Sequence, residues 1–308
     1  MKGGFSIGVK LNLAPNALNN FDTLGTQSFI QKATITNENG EEITVPVISG
    51  NMIRHYIYEN FVKDRLDSNP EKLFLSKEAL KFDGNRYPSD TIEYHVTIDK
   101  TEQIKVNSKE IKTLYELFSK VWDADIFGFM ITTRKNTVSH KSPLFVTNFV
   151  GEYISDMVIN RVQQSPSVAK SSNEANESSM IALEKEVGSG WYVGGVRTEI
   201  GRIGLVEGDI KINKLIEQTV EEKLRHLIRA IHRTIVNADF GANRARMDAL
   251  VLDKKIVVVA VKNANILPPY FTSKEEANEW VTEMSEFYTD AEFVVFDRIT
   301  DLLKFYEL

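Results

Sequence analysis

Phe5, Ile7, Val9, Leu11 and Leu13 alternate with Ser6, Gly8, Lys10 and Asn12. A period of two sends one set to a buried face and predicts a half-buried first strand. Residues 14–26 are polar, with Asn16, Asn19 and Asn20, and read as a loop. Two strand-like runs, 29–36 and Glu42–Ile48, then meet across Asn39-Gly40. Asn-Gly between such runs predicts a hairpin. Ser49-Gly50-Asn51 opens a helix in which Met52, Ile53, Tyr56, Ile57, Phe61 and Val62 recur at helical spacing. Ser49 is its expected N-cap.

Residues 68–108 carry no single period. A second helix is predicted over 108–122, with Ile111, Leu114, Phe118 and Val121 on one face. Residues 123–130 read as an acid-then-aromatic loop, 134–141 as a polar and basic stretch, and 143–150 as a strand. Segment 163–179 is rich in Ser, Asn and Glu with almost no apolar content, which predicts a flexible arm. Residues 180–206 read as strands broken by Gly188, Gly190, Gly194 and Gly195. A long helix over 214–237 has the stripe Val220, Leu224, Leu227, Ile228, Ile231 and Ile235. A buried strand over 256–261 follows, then a helix opened by Ser273 and Glu276 as a capping box. A strand at Glu292–Phe296 and a terminal helix end the chain. The strongest elements run strand, helix, strand, strand, helix, strand. This predicts an α+β fold, one RRM-type or ferredoxin-like domain over 1–308 with long insertions.

Composition narrows the function. The 308 residues are 42% hydrophobic and 26% charged, as in an ordinary globular protein. The absence of cysteine excludes disulfides, thiolate zinc sites and cysteine nucleophiles. The N-terminus has no signal-peptide pattern, and no run approaches the roughly 18 apolar residues of a membrane span. A cytoplasmic protein away from membranes is expected. There is no G-x-x-x-x-G-K-[ST] loop and no H-E-x-x-H, and the five histidines are scattered. Catalysis, a metal and a cofactor are therefore all expected to be absent. The net charge of -6 opposes nucleic-acid binding unless positive charge is concentrated locally.

Three constellations bear on that condition. At Ser49, Gly50, Asn51, Arg54 and His55 a strand gives way to a helix, whose first free N–H groups favour an anion. An ordinary capped helix with one exposed arginine has the same appearance. Gly241-Ala242-Asn243-Arg244-Ala245-Arg246 places two guanidinium forks in a turn, suited to phosphate oxygens. The preceding helix adds Lys223, Arg225, Arg229 and Arg233. A solvated helix face followed by a polar turn fits these residues equally well. The third is the Asn-rich stretch with Asn19, Asn20 and Asp22, which also suits a simple turn.

Five segments in this order resemble the crRNA-binding backbone subunits of type I CRISPR Cascade complexes, in their DevR-type branch of the RAMP superfamily. They are Asn16-Ala17-Leu18-Asn19-Asn20, Ile48-Ser49-Gly50-Asn51-Met52-Ile53-Arg54-His55, Asp125-Ile126-Phe127-Gly128-Phe129, Asn160-Arg161-Val162 and Gly241 to Arg246. The resemblance implies an RRM-like palm, a largely helical finger at 68–140, and a β-hairpin thumb at 160–192 with flexible 163–179. It implies a non-catalytic antiviral-defence protein, stacked with copies of itself in a helical filament along one crRNA. RNA contacts fall to Asn19, Asn20, Ser49, Asn51, Arg54, His55, Arg134, Lys141, Asn160, Arg161, Met180, Asn243, Arg244 and Arg246. The guide then pairs with a target DNA strand. Further partners are a RAMP-type subunit on the repeat handle, large and small subunits, and a helicase-nuclease that performs cleavage. One alternative is a type III-like subunit that cuts target RNA through Asp22. The others are a protein-only RRM-like scaffold and a transcriptional regulator, the last without a helix-turn-helix signal.

Overall fold

The computed structural model describes residues 2–16, 20–24, 27–36, 39–82, 87, 89–106, 111–132, 137–152, 159–164, 183–206, 213–241 and 248–308. Six elements form its centre: β1 (Gly3–Asn16), α1 (Gly50–Ser68), β2 (Phe149–Gly151), β3 (Leu183–Glu199), α2 (Asn213–Val236) and β4 (Val251–Lys262). The strands lie in the order β4-β1-β3-β2, all neighbours antiparallel. This is the β-α-β-β-α-β ferredoxin-like arrangement expected from the element order. Glu292–Phe296 extends the sheet beyond β4, and Glu42–Ile48 then Lys32–Thr36 extend it beyond β2.

The alternation in β1 decides which face is buried. Phe5, Ile7, Val9, Leu11 and Leu13 are fully buried and share one core with Ile53, Ile57 and Phe61 of α1 and the α2 stripe. Each such side chain contributes roughly 1.5–3 kcal/mol on burial, so this face holds the helices on the sheet. On the other face, the Ser6 hydroxyl donates to the Pro269 carbonyl at 2.6 Å. Nearby, Val257 and Val259 pack with Ala277, Phe271 and Trp280 of a smaller cluster. No helix among the described residues is long and apolar enough to cross a membrane.

Four expectations are corrected. Residues 180–206 do not break at their glycines; β3 runs unbroken from Leu183 to Glu199. Two of the glycines make room for rings: a Cβ on Gly194 would sit 2.4 Å from the Phe149 ring, and one on Gly195 2.3 Å from Tyr270. The 14–26 stretch is also partly strand. β1 continues to Asn16, and Asn20–Leu24 pairs with Gln27–Ile30. Ladders are made by backbone groups, so polar side chains do not forbid them. Within 123–130, Trp122–Phe127 is a short helix, followed at Gly128 by the strand Phe129–Thr132, which pairs with Thr137–His140. The insertion at 68–140 is mixed and not largely helical. It holds the three-stranded sheet Leu75–Ser76, Thr91–Thr97, Lys100–Lys105 beside the helix Ile111–Lys120.

Candidate nucleic-acid interface

The first constellation sits where Glu42–Ile48 hands over to α1. Ser49 caps the helix, its hydroxyl accepting from the Met52 amide at 3.1 Å. The Gly50 amide donates to the Asn148 side chain at 2.9 Å. Two of the outward-pointing N–H groups are thus already engaged by protein. Asn51 and His55, one turn apart, are exposed. His55 pairs with Glu59 at 2.9 Å, and that hydrogen bond raises its pKa above the ordinary value.

Arg54 lies about 100° round the helix from His55 and faces inward. Its guanidinium donates to the Leu144 carbonyl at 3.0 Å and to the Phe127 carbonyl, and stands 6.0 Å from the Phe127 ring. Burial lowers its pKa from the usual arginine value. Arg54 fixes the helix start to the insertion.

The basic stripe of α2 also differs from its sequence appearance. Lys223 is fully buried, its ammonium 2.6 Å from Asp125 and 2.7 Å from the Phe118 carbonyl. Asp125 also accepts from the Gly204 amide at 2.9 Å and approaches His140 at 3.5 Å. Burial pushes its carboxyl upward, yet the charge of Lys223 and the hydrogen bonds outweigh this and hold it below the usual range. Arg229 faces Asp64 at 3.7 Å and Arg233 faces Asp67 at 3.8 Å. His226 contacts Asp64 at 2.5 Å and Arg65 at 2.8 Å. Arg229, Arg233 and His226 thus face α1, while Lys223 joins α2 to the helices Ile111–Lys120 and Trp122–Phe127.

The helix start and the Gly241 segment come together. The Tyr56 hydroxyl donates to the Gly241 carbonyl at 2.8 Å. A cleft of about 570 Å³ lies between the helices, lined by Asn60, Lys63, Asp67, Arg233, Asn237 and Asp239. Asn243, Arg244 and Arg246 lie outside the described residues, as do Asn19, Arg134 and Met180. Lys141 is exposed, directly after the strand Thr137–His140.

The third constellation meets the paired strands Ile159–Gln164 and β3. Ile159–Gln164 pairs with β3 from Ile159↔Gly188 to Gln164↔Leu183, which gives the two arms of a hairpin. On the other side of β3, Gln27 and Ser28 pair in parallel with Glu184 and Lys185. Asn20 and Asp22 lie on the next strand out, opposite Ile30 and Phe29. Arg161 pairs with Glu186 and Asn160 with Val187. The side chains of Asn20, Asp22, Asn160 and Arg161 lie outside the described residues, as does most of 163–179. Glu186 is buried and ties the region together, accepting from the Ile30 amide at 3.3 Å and from Lys32 at 3.0 Å.

Charge is unevenly distributed along the chain. Between Lys274 and Glu292 seven carboxylates face one lysine, an excess equal to the whole net charge of -6. Most of this acid lies on the helix Lys274–Phe287, which packs at the β4 edge of the sheet. The remainder of the chain carries no net charge.

The family model described as CRISPR-associated negative auto-regulator DevR/Csa2 matches residues 7–280. A protein of Methanocaldococcus jannaschii, CRISPR-associated protein Cas7/Cst2/DevR, is 27% identical over 243 residues, 75% of this chain and 72% of that one. Among solved structures, a chain of a CRISPR RNA-guided surveillance complex superposes with a TM-score of 0.44 at 12% identity, covering 94% of this chain and 87% of that one. A chain of a Type IV-B CRISPR complex gives 0.39 at 13% identity, over 90% and 98%.

Proposed function

Because this chain belongs to the CRISPR-associated DevR/Csa2 family, we propose that it is a non-catalytic backbone subunit of a type I Cascade complex that holds crRNA. The observation that carries the reading is the extent of the family match: 7–280 includes all five motif segments. Copies stack along one guide, each holding the RNA by its backbone, and the assembly presents the guide to a target DNA strand. The repeat-handle subunit, the large and small subunits and the helicase-nuclease complete the complex.

Within this reading the side chains divide by role. Asn51 and His55 face outward at the α1 start and contact a phosphate or sugar there. Ser49 and Arg54 position that turn through the Met52 amide and the Leu144 and Phe127 carbonyls. Asn243, Arg244 and Arg246 follow Gly241, which Tyr56 holds beside α1, and take the backbone on the other side. Asn19, Asn20, Asn160, Arg161 and Met180 serve the thumb end, with Arg134 and Lys141 on the insertion. Backbone holding suits a protein that must accept any guide sequence.

The test is to purify the protein after expression alone and with a crRNA, extract the nucleic acid, and titrate salt. RNA of defined length in a large oligomer, released steeply with salt, is the expected result. A monomer with no RNA at low salt, even with crRNA supplied, overturns the proposal.

A further inference from the structure

Among the described residues, the sheet face turned away from α1 and α2 is covered at one end only. Cross-strand partners share a face. The registers Lys10↔Val193, Lys10↔Lys255, Asn12↔Trp191 and Asn12↔Asp253 therefore place these residues together, alternating with the buried Val9, Leu11 and Leu13. At one end of this face Ser6 bonds to Pro269, Tyr270 lies over Gly195, and Val257 and Val259 pack under Ala277 and Trp280. At the other end Lys10, Asn12, Trp191 and Val193 are half-buried, and Lys255 is exposed.

The open end has a particular chemistry. The Lys255 ammonium stands 5.8 Å from the Trp191 ring and has no carboxylate partner among the described residues. Lys10 is held by Glu152 at 2.6 Å. Trp191 lies three residues past Gly188, where the thumb arm Ile159–Gln164 joins β3, so the patch adjoins the thumb base.

Building on the RNA-holding reading above, we infer that the Trp191 indole is a stacking platform for one base of the bound single-stranded RNA, with Lys255 on an adjoining phosphate. Every base has a π face, so an aromatic platform is tolerant of sequence, and nearby ammonium groups add attraction for the backbone. Lys255 is already beside the ring and needs no large movement to meet a phosphate next to a stacked base. An indole that merely filled a gap in the sheet would need neither the cation nor the opening.

The experiment uses the full chain with oligouridylate and with a mixed-sequence RNA, reading affinity and tryptophan fluorescence. For the wild type, binding with quenching is expected. Trp191→Leu is expected to weaken binding by about five- to a hundredfold, as measured for lost base–aromatic stacks, on both RNAs. Trp191→Phe is expected to keep most of the affinity and to lose the quenching. Lys255→Gln is expected to flatten the slope of log affinity against log salt by about 0.7, the value for one phosphate on a single strand. Lys274→Gln, on the acidic helix and paired with Asp297 at 2.6 Å, is expected to leave the slope unchanged. A wild type without RNA affinity overturns the RNA-holding reading itself. A wild type that binds, with a Trp191→Leu protein of equal affinity, overturns only the platform. Quenching that persists in the Trp191→Phe protein overturns the platform even if the leucine variant does not fold.

Discussion

The Tyr56 hydroxyl, on the first turns of α1, donates to the Gly241 carbonyl at 2.8 Å and joins two segments 185 residues apart. The contact holds Gly241 against the helix that carries Asn51 and His55. Tyr56→Phe removes this hydrogen bond and keeps the ring. Its expected cost is about 0.5–1.5 kcal/mol in urea unfolding. RNA affinity is expected to fall by a similar factor for every sequence. A variant that altered sequence preference would show that the contact does more than position the turn.

Arg54 and Arg244 look alike in the sequence and are expected to behave oppositely. Arg54→Met leaves the Leu144 and Phe127 carbonyls without their donor, so stability drops by roughly 1–3 kcal/mol. RNA affinity per folded molecule stays close to the wild type. Arg244→Glu is expected to leave the unfolding midpoint unchanged and to weaken RNA equally across sequences. Thermal unfolding and RNA anisotropy on the same preparations distinguish the two roles.

Asp125 and Lys223 form a completely buried pair at 2.6 Å. Removing one partner strands the other charge, which typically costs about 3–5 kcal/mol. Lys223→Met and Asp125→Leu are each expected to be strongly destabilising in urea titrations, and the double variant less so than the sum. Additive losses would mean that the two groups do not depend on each other.

Asp123 is the group whose titration should register in stability. Burial raises its carboxyl to about 6, although it accepts from the Ser76 amide at 2.8 Å and the Ser76 hydroxyl at 2.6 Å. A carboxyl raised in the folded state favours folding in its protonated form. That contribution is complete below about pH 4 and is lost as pH rises through about 6. At one unit per 1.36 kcal/mol it is on the order of 2–3 kcal/mol. Asp123→Asn, which cannot ionise, should therefore gain stability relative to the wild type between pH 5 and pH 8. Chemical denaturation at the two pH values measures the difference, and a constant gap between the proteins would remove Asp123 as its source.

What the sequence disclosed was local. The cap at Ser49 was legible because donor and acceptor are three residues apart, and the stripe of α2 because helical spacing repeats within the element. The inward turn of Arg54 was not legible, because its two carbonyls lie 73 and 90 residues away. Lys223 looked like part of a charged surface until folding brought Asp125, 98 residues distant, against it. Gly194 and Gly195 of β3 read as breaks because their purpose is set by rings on other segments, Phe149 and Tyr270. The same misreading hid Trp191, which stands directly after Gly190 in that strand.

The acidic helix Lys274–Phe287 has a consequence for how the molecule meets other charged bodies. Residues 274–292 carry the whole net charge of -6, and their acidic helix packs at the β4 edge of the sheet. A polyanion repels that edge and exerts a torque, turning the molecule before any atom touches. Encounter then begins with the favourable side forward, an advantage that added salt erases as the Debye length shrinks.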